Sequence, residues 1–389
     1  MKQVWGLILV SATCGAACTS NLAGSSAASP QPVTTSTPMP NEQRTPAEAA
    51  HPELAAALTK LATSVVGEAT VAEWKRTNEA SETLDTLAKA GFTDADHAAI
   101  QLRYAALPAA GRLAVLRALS ADQSATGRAM VLPLLRQHGW VATEFGSAKG
   151  YFGSECEAPA DKLEALVDGS IAGLPDGDRA EILLACANAR KLTPALAAKA
   201  RPLLLAHARH LLATLEPAQQ PMGIAWRWRP PYAEARFEAG VLFDLLGYLA
   251  ANGDGDVIAS LRRGEKLTDP LLKLWSLVSL LRLGQLPAPG STQAVAADAE
   301  TRNHLLDQLT ELQRKDLFPA KELTQAKLAE SNMVNWLSYP TELARAPDHI
   351  ELMKTVEVDA GSGGGGVFVY YLFRFKNDPP DDFAKQGWL

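Results

Sequence analysis

The chain has 389 residues, is 47% hydrophobic but only 6% aromatic, and carries a formal net charge of −6. That length and apolar content suffice for a large buried core. The acidic balance argues against nucleic-acid binding, which needs a basic face, and the dominance of Ala and Leu points to helices.

At the N-terminus Lys2 precedes an apolar run, Val4 to Val10, broken by Gly6. Small residues then lead to Cys14 and Cys18. A charged start, a short apolar middle and a small-residue zone describe a secretory signal peptide. The run falls well short of the ~20 residues that span a bilayer as a helix. Gly15-Ala16-Ala17-Cys18 resembles the lipobox of bacterial lipoproteins, with Gly15 in place of the usual aliphatic residue. The resemblance implies cleavage before Cys18, acylation of its thiol and a firm membrane anchor. Thr19 and Ser20 follow Cys18, where an aspartate would signal inner-membrane retention. The implied location is therefore the outer membrane, facing the periplasm. The alternative is an ordinary signal peptide cut near the alanines.

Residues 19–50 are rich in Ser, Thr, Pro and Ala, with Pro30, Pro32, Pro38 and Pro40. Such composition buries too little apolar surface to offset its ordering entropy. A disordered tether is expected.

Residues 51–346 are expected to form the helical body. Leu54, Leu58, Leu61 and Val65 recur at helical spacing, as do Leu163, Leu166, Val167 and Ile171. Leu242, Leu245, Leu246 and Leu249 make a further stripe, and Leu305, Leu306, Leu309 and Leu312 another. Each has an apolar face to bury. Thr93-Asp94, Thr193-Pro194 and Asp269-Pro270 read as a cap followed by a first-turn residue. Pro175 to Asp178 and Asn252 to Asp256 read as tight turns ending in caps. Short connections make neighbouring helices antiparallel.

Val257 to Arg263, then Thr268-Asp269-Pro270, then Leu271 to Gly284 resembles a HEAT or HEAT-like repeat. In that family a first helix passes through an Asp-containing turn into a second helix ending in Leu-Gly. Leu245-Leu246-Gly247 resembles the end of a preceding unit. The resemblance implies an α-solenoid of antiparallel helical hairpins whose surface binds another protein. Tetratricopeptide-like or unclassified helical pairs remain open, since no fixed period runs through the chain.

Gly139 to Glu157 reads as an irregular insertion. Residues 347–389 are expected to form a small C-terminal β-hairpin element. Its strands are Glu351–Val358 and Val367–Phe375, and Val367, Val369, Tyr371, Phe373 and Phe375 share one side.

Little in the sequence carries chemistry. The glycines at 361–366 lack the lysine and following helix of a phosphate loop. His207 and His210 share a helix face, but two ligands do not close a metal site. The Asp254 turn has Glu265 at the closing distance of a calcium loop, yet Ala259 and Leu261 interrupt the ligands, and a capped turn fits better. No GxSxG occurs. No catalytic residue, metal or cofactor is expected. Cys156 and Cys186 are either bridged or separate thiols, in a compartment that permits disulfides.

The best binding candidate is Trp226, Arg227, Trp228, Arg229 and Tyr232, because Trp, Tyr and Arg dominate interface hot spots. Pro230-Pro231 would hold that segment extended. The alternative is that the tryptophans plug a gap between repeats. The sequence thus predicts a lipid-anchored envelope scaffold for a protein partner. The competing readings are an envelope hydrolase acting on peptidoglycan or peptides in a helical-toroid-like cleft, and a stalk with no specific partner.

Overall fold

The computed structural model describes residues 8–11, 50–63, 71–143, 146–152, 160–218, 227–251, 253–338, 346–359 and 367–376. Cys18 with the lipobox-like residues before it, the expected tether up to residue 49, Cys156, Trp226 and the 361–366 glycines lie outside the described residues. Among the described residues fourteen α-helices and a small antiparallel sheet near the C-terminus make the chain mostly α, as expected. The described residues divide into two compact units, one of those up to Ala129 and one of those from Met130 on together with 8–11. A first short strand, β1 (Ile8–Ser11), belongs to the second of these.

The first unit contains α1 (Pro52–Ala62), α2 (Val71–Ala90), α3 (Asp94–Tyr104), α4 (Ala109–Ala121) and the start of α5 (Ala125–His138). The first helix of the expected body begins at Pro52, with proline at a position that needs no donor. Leu54, Leu58 and Leu61 are buried along one face of α1, against α2, α3 and α4. Thr93 caps α3 in a full capping box with Asp96.

The second unit opens with β2 (Ala142–Thr143) paired to β3 (Gly146–Ser147), then a 3-10 turn over Ala148–Phe152. The described part of the expected irregular insertion therefore has regular structure. Trp140 stacks on Phe152 and donates to Asp178 at 2.7 Å. Helices α6 (Ala160–Ala165), α7 (Asp176–Asn188) and α8 (Pro194–Leu215) follow. The expected turn over Pro175–Asp178 is instead the first turn of α7, whose N-cap is Pro175. Next come α9 (Tyr232–Leu249), α10 (Gly255–Lys266), α11 (Pro270–Arg282), α12 (Ser291–Ala297), α13 (Arg302–Glu311) and α14 (Gln325–Ser338).

Three caps read from sequence are present here. Thr193 accepts from Leu196, Asp254 from Val257 and Asp269 from Leu271. The Asp254 carboxylate also takes the Arg201 guanidinium, so this turn is a cap held by an ion pair. Helix α9 packs on α7, α8 and α11, while α10 packs on α11 and touches α8. The α9–α11 approach is close. A Cβ at Gly247 would stand 2.9 Å from the Ser279 Cα; between α10 and α9, one at Gly264 would stand 3.0 Å from the Phe243 ring. Ser279 uses that proximity to donate to the Phe243 carbonyl at 2.7 Å. Leu274, Leu277, Val278, Val295, Leu305, Leu309 and Phe318 continue the core through α12 and α13.

The last elements are β4 (His349–Asp359) and β5 (Val367–Lys376), an antiparallel hairpin with a register shift between Leu352 and Lys354. Tyr371 and Phe373, with Val369 and Phe375, pack on Ala329, Met333 and Leu337 of α14. Val367, expected on the same side, is 62% exposed. A hairpin is marginal alone, and α14 supplies the missing apolar cover. The opposite edge of β5 pairs with β1, Ile8 facing Phe373 and Ser11 facing Tyr370.

Candidate functional site

The segment singled out in the sequence turns directly into α9 instead of running extended, and its Pro230–Pro231 bond is cis. Tyr232 opens the helix and is buried, its hydroxyl donating to Asp269 at 3.0 Å. One turn on, Arg236 is wholly inaccessible to solvent. Its Nε donates to Asp269 at 2.7 Å and an amino group donates to Glu300 at 2.7 Å. Asp269 can serve both neighbours because it caps α11 with its other oxygen, which accepts from Leu271 at 2.9 Å.

Arg227 completes the group. It donates to Asp298 at 2.8 Å and reaches Glu300 at 3.4 Å. Asp298 accepts from the Glu300 amide at 3.0 Å, and Thr301 closes the same loop onto the Val295 carbonyl at 2.8 Å. Two guanidiniums thus meet three carboxylates, with Arg236, Asp269 and Glu300 buried and Arg227 and Asp298 at the edge of the solvent. Burial, with Asp298 and Asp269 nearby, pushes the Glu300 carboxyl above the ordinary range, against the opposing pull of Arg236 and Arg227. Burial alone would lower the Arg236 pKa, but Glu300 and Asp269 outweigh it and raise it.

Arg227 and Tyr232, expected at a partner surface, are therefore interior pins. Trp228 and Arg229 are half-buried, and the surface beside them gains Phe237, which was not singled out. Phe237 is 42% exposed and meets Trp228 edge to face at 5.2 Å. The Arg236 guanidinium carbon lies 5.7 Å from the Trp228 ring and 5.4 Å from Phe237. A buried cation thus backs an aromatic step. Phe237 was recognisable as the neighbour of Arg236 in the repeat-like helix. Nothing local marked it as exposed.

Two other polar groups have the composition of reactive sites. In the first unit His97, Asp122 and Ser124 come together. His97 Nε2 is 2.9 Å from Asp122, and Ser124 donates to the same Asp122 oxygen at 2.6 Å. A triad needs the imidazole between serine and acid, using one nitrogen for each. Here Ser124 and Asp122 both face Nε2, at 3.5 and 2.9 Å. Ser124 also accepts from the Gly127 amide at 3.0 Å, so it caps α5. Burial would raise the Asp122 pKa, but bonds from Ser124 and His97 hold it below the usual carboxylate range.

In the second unit His207 and His210 do stack face to face on α8. Carboxylates from distant elements join them, Glu238 at 2.7 Å and Asp176 at 3.7 Å from His207. The bond from His207 holds the Glu238 carboxyl below its ordinary range, although burial works against it. No group able to hold a metal ion occurs among the described residues. No helix among them is long and apolar enough to cross a membrane.

Cys186 is fully buried on α7 and is disulfide-bonded. Its mate lies outside the described residues, as Cys156 does. The chain matches no protein-family model, no curated protein and no solved structure.

Proposed function

We propose that this chain is a lipid-anchored scaffold of the bacterial envelope that binds a protein partner through the Trp228–Phe237 step. That step carries the reading: two aromatic rings reach solvent, and a buried guanidinium pinned by two carboxylates holds them from behind. Rings fixed before contact lose little freedom on binding, which favours affinity. Trp228 and the half-buried Arg229 have the chemistry of hot spots.

The body is read as a short α-solenoid of HEAT-like hairpins. Support comes from α8 with α9 and α10 with α11, where α9 lies on α11 and α8 touches α10. The disulfide at Cys186 fits an oxidising compartment, and Cys156 is assigned as its mate. Cys18 is assigned as the acylated residue on the lipobox, with outer-membrane placement following from Thr19.

A photo-crosslinking amino acid at Phe237, used in cells and read by mass spectrometry, tests the partner surface. One reproducible adduct is expected, lost in Trp228→Ala and absent when the crosslinker sits at exposed Lys315. The same adducts from both positions would remove the proposal. Incorporation of a labelled fatty acid that vanishes in Cys18→Ala tests the anchor separately.

A further inference from the structure

Strand β5 is paired along one edge by β4 for ten residues, from Val367 to Lys376. Among the described residues its other edge is paired only by Ile8–Ser11, along Tyr370 to Phe373. An open edge on a strand reading Val-Phe-Val-Tyr-Tyr-Leu-Phe invites another chain, and folded proteins cover such edges. The cover here is Ile-Leu-Val-Ser, a short uncharged segment in antiparallel sense. That same segment is the apolar middle of the predicted leader. The register also places Phe368, Tyr370 and Leu372 on the face of β5 turned away from α14, and all three are half-buried.

We infer that the β5 edge is a strand-acceptor site, and that an extended, uncharged apolar segment of a second polypeptide takes the place of Ile8–Ser11 once the leader is gone. The removal step rests on the lipoprotein reading above; the acceptor site itself does not. The segment already seated defines the occupant's chemistry: about four residues, β-branched or aliphatic, antiparallel, in register with Tyr370–Phe373. Main-chain bonds would supply affinity and alternate side chains selectivity, the mode of strand addition. A third strand also strengthens a two-stranded hairpin that is otherwise marginal.

The test uses the full chain and a fluorescent peptide copying residues 6–12, with two added lysines for solubility. In a second full chain Leu9→Pro and Val10→Pro unseat the resident segment, since one of two adjacent strand residues must aim its N–H at β5. The peptide should bind the double-proline chain at least tenfold more tightly than the unaltered one, by fluorescence anisotropy. Adding Leu372→Lys, or Tyr370→Lys if the first misfolds by circular dichroism, should weaken that binding at least tenfold. Equal binding to both chains, or no binding by either, overturns the site. Self-association of the double-proline chain that shuts out the peptide assigns the edge to a second copy and overturns the proposed occupant. Peptide binding without fatty-acid label at Cys18 retains the acceptor site and removes only the leader step.

Discussion

Arg236 and Glu300 stand 64 residues apart in the chain and meet at 2.7 Å, with the guanidinium side chain 0% exposed. Two charges so far from water stabilise the fold only as a pair. Removing one leaves the other stranded, and that asymmetry makes the cluster testable.

Arg236→Ala strands Asp269 and Glu300 together. It should lower unfolding stability by about 3–5 kcal/mol, the range for breaking a buried ion pair. Glu300→Gln keeps a hydrogen-bond acceptor for the guanidinium and should cost clearly less, about 1–2 kcal/mol. Urea unfolding followed by circular dichroism ranks the two. An Arg236→Ala chain as stable as wild type would show that the pair holds nothing.

The two glutamates should move stability in opposite directions with pH. Glu238 is held low by His207, so its contribution is present above its unfolded value of about 4.3 and is lost as pH falls through its folded value. The cost of Glu238→Gln should therefore shrink on acidification below about pH 4.3. Glu300 is raised by burial, so its contribution is full below that unfolded value and is lost as pH rises through its folded value. Glu300→Gln should gain on wild type as pH climbs from the acid side. Urea midpoints measured across the acid range check both signs.

Gly247→Ala places a methyl group against the Ser279 backbone, where neither helix can yield locally. A loss of about 1–3 kcal/mol is expected from overpacking. Gly255→Ala in the first turn of α10 meets nothing within 4 Å and should stay within about 0.5 kcal/mol of wild type. Thermal melts of the two variants side by side separate close packing from any general effect of alanine.

Cys186→Ser should cost about 2–4 kcal/mol, the typical contribution of a native disulfide. Non-reducing digestion and mass spectrometry should return Cys186 linked to Cys156. A peptide linking Cys186 to Cys14 or Cys18 would refute the assigned pairing and the acylation of Cys18 alike.

Local chemistry was legible. Thr93, Thr193 and Asp269 cap the helices they were read to cap, because a cap needs only residues within one turn. The hairpin followed from alternation around a glycine run. The ion cluster did not, since Asp269 and Glu300 come from turns 33 and 64 residues beyond Arg236. Arg227 and Tyr232 were misplaced for a related reason. Arginine and tyrosine suit an interface or a buried pin equally well, and only distant partners decide which. Proline misled as well: Pro175 and Pro231 each lead straight into a helix.

The cluster also sets an order for synthesis. A chain leaving the ribosome N-terminus first completes α9 with Arg236 unsatisfied, since its first acceptor is Asp269 and its second is Glu300. Until Asp269 emerges, α9 carries a bare cation that favours water over the growing core, and until Glu300 follows the guanidinium is only half-paired. The segment from Tyr232 to Arg302 should then commit to the native state in one step, and a nascent chain halted short of it should remain open to proteases across that segment.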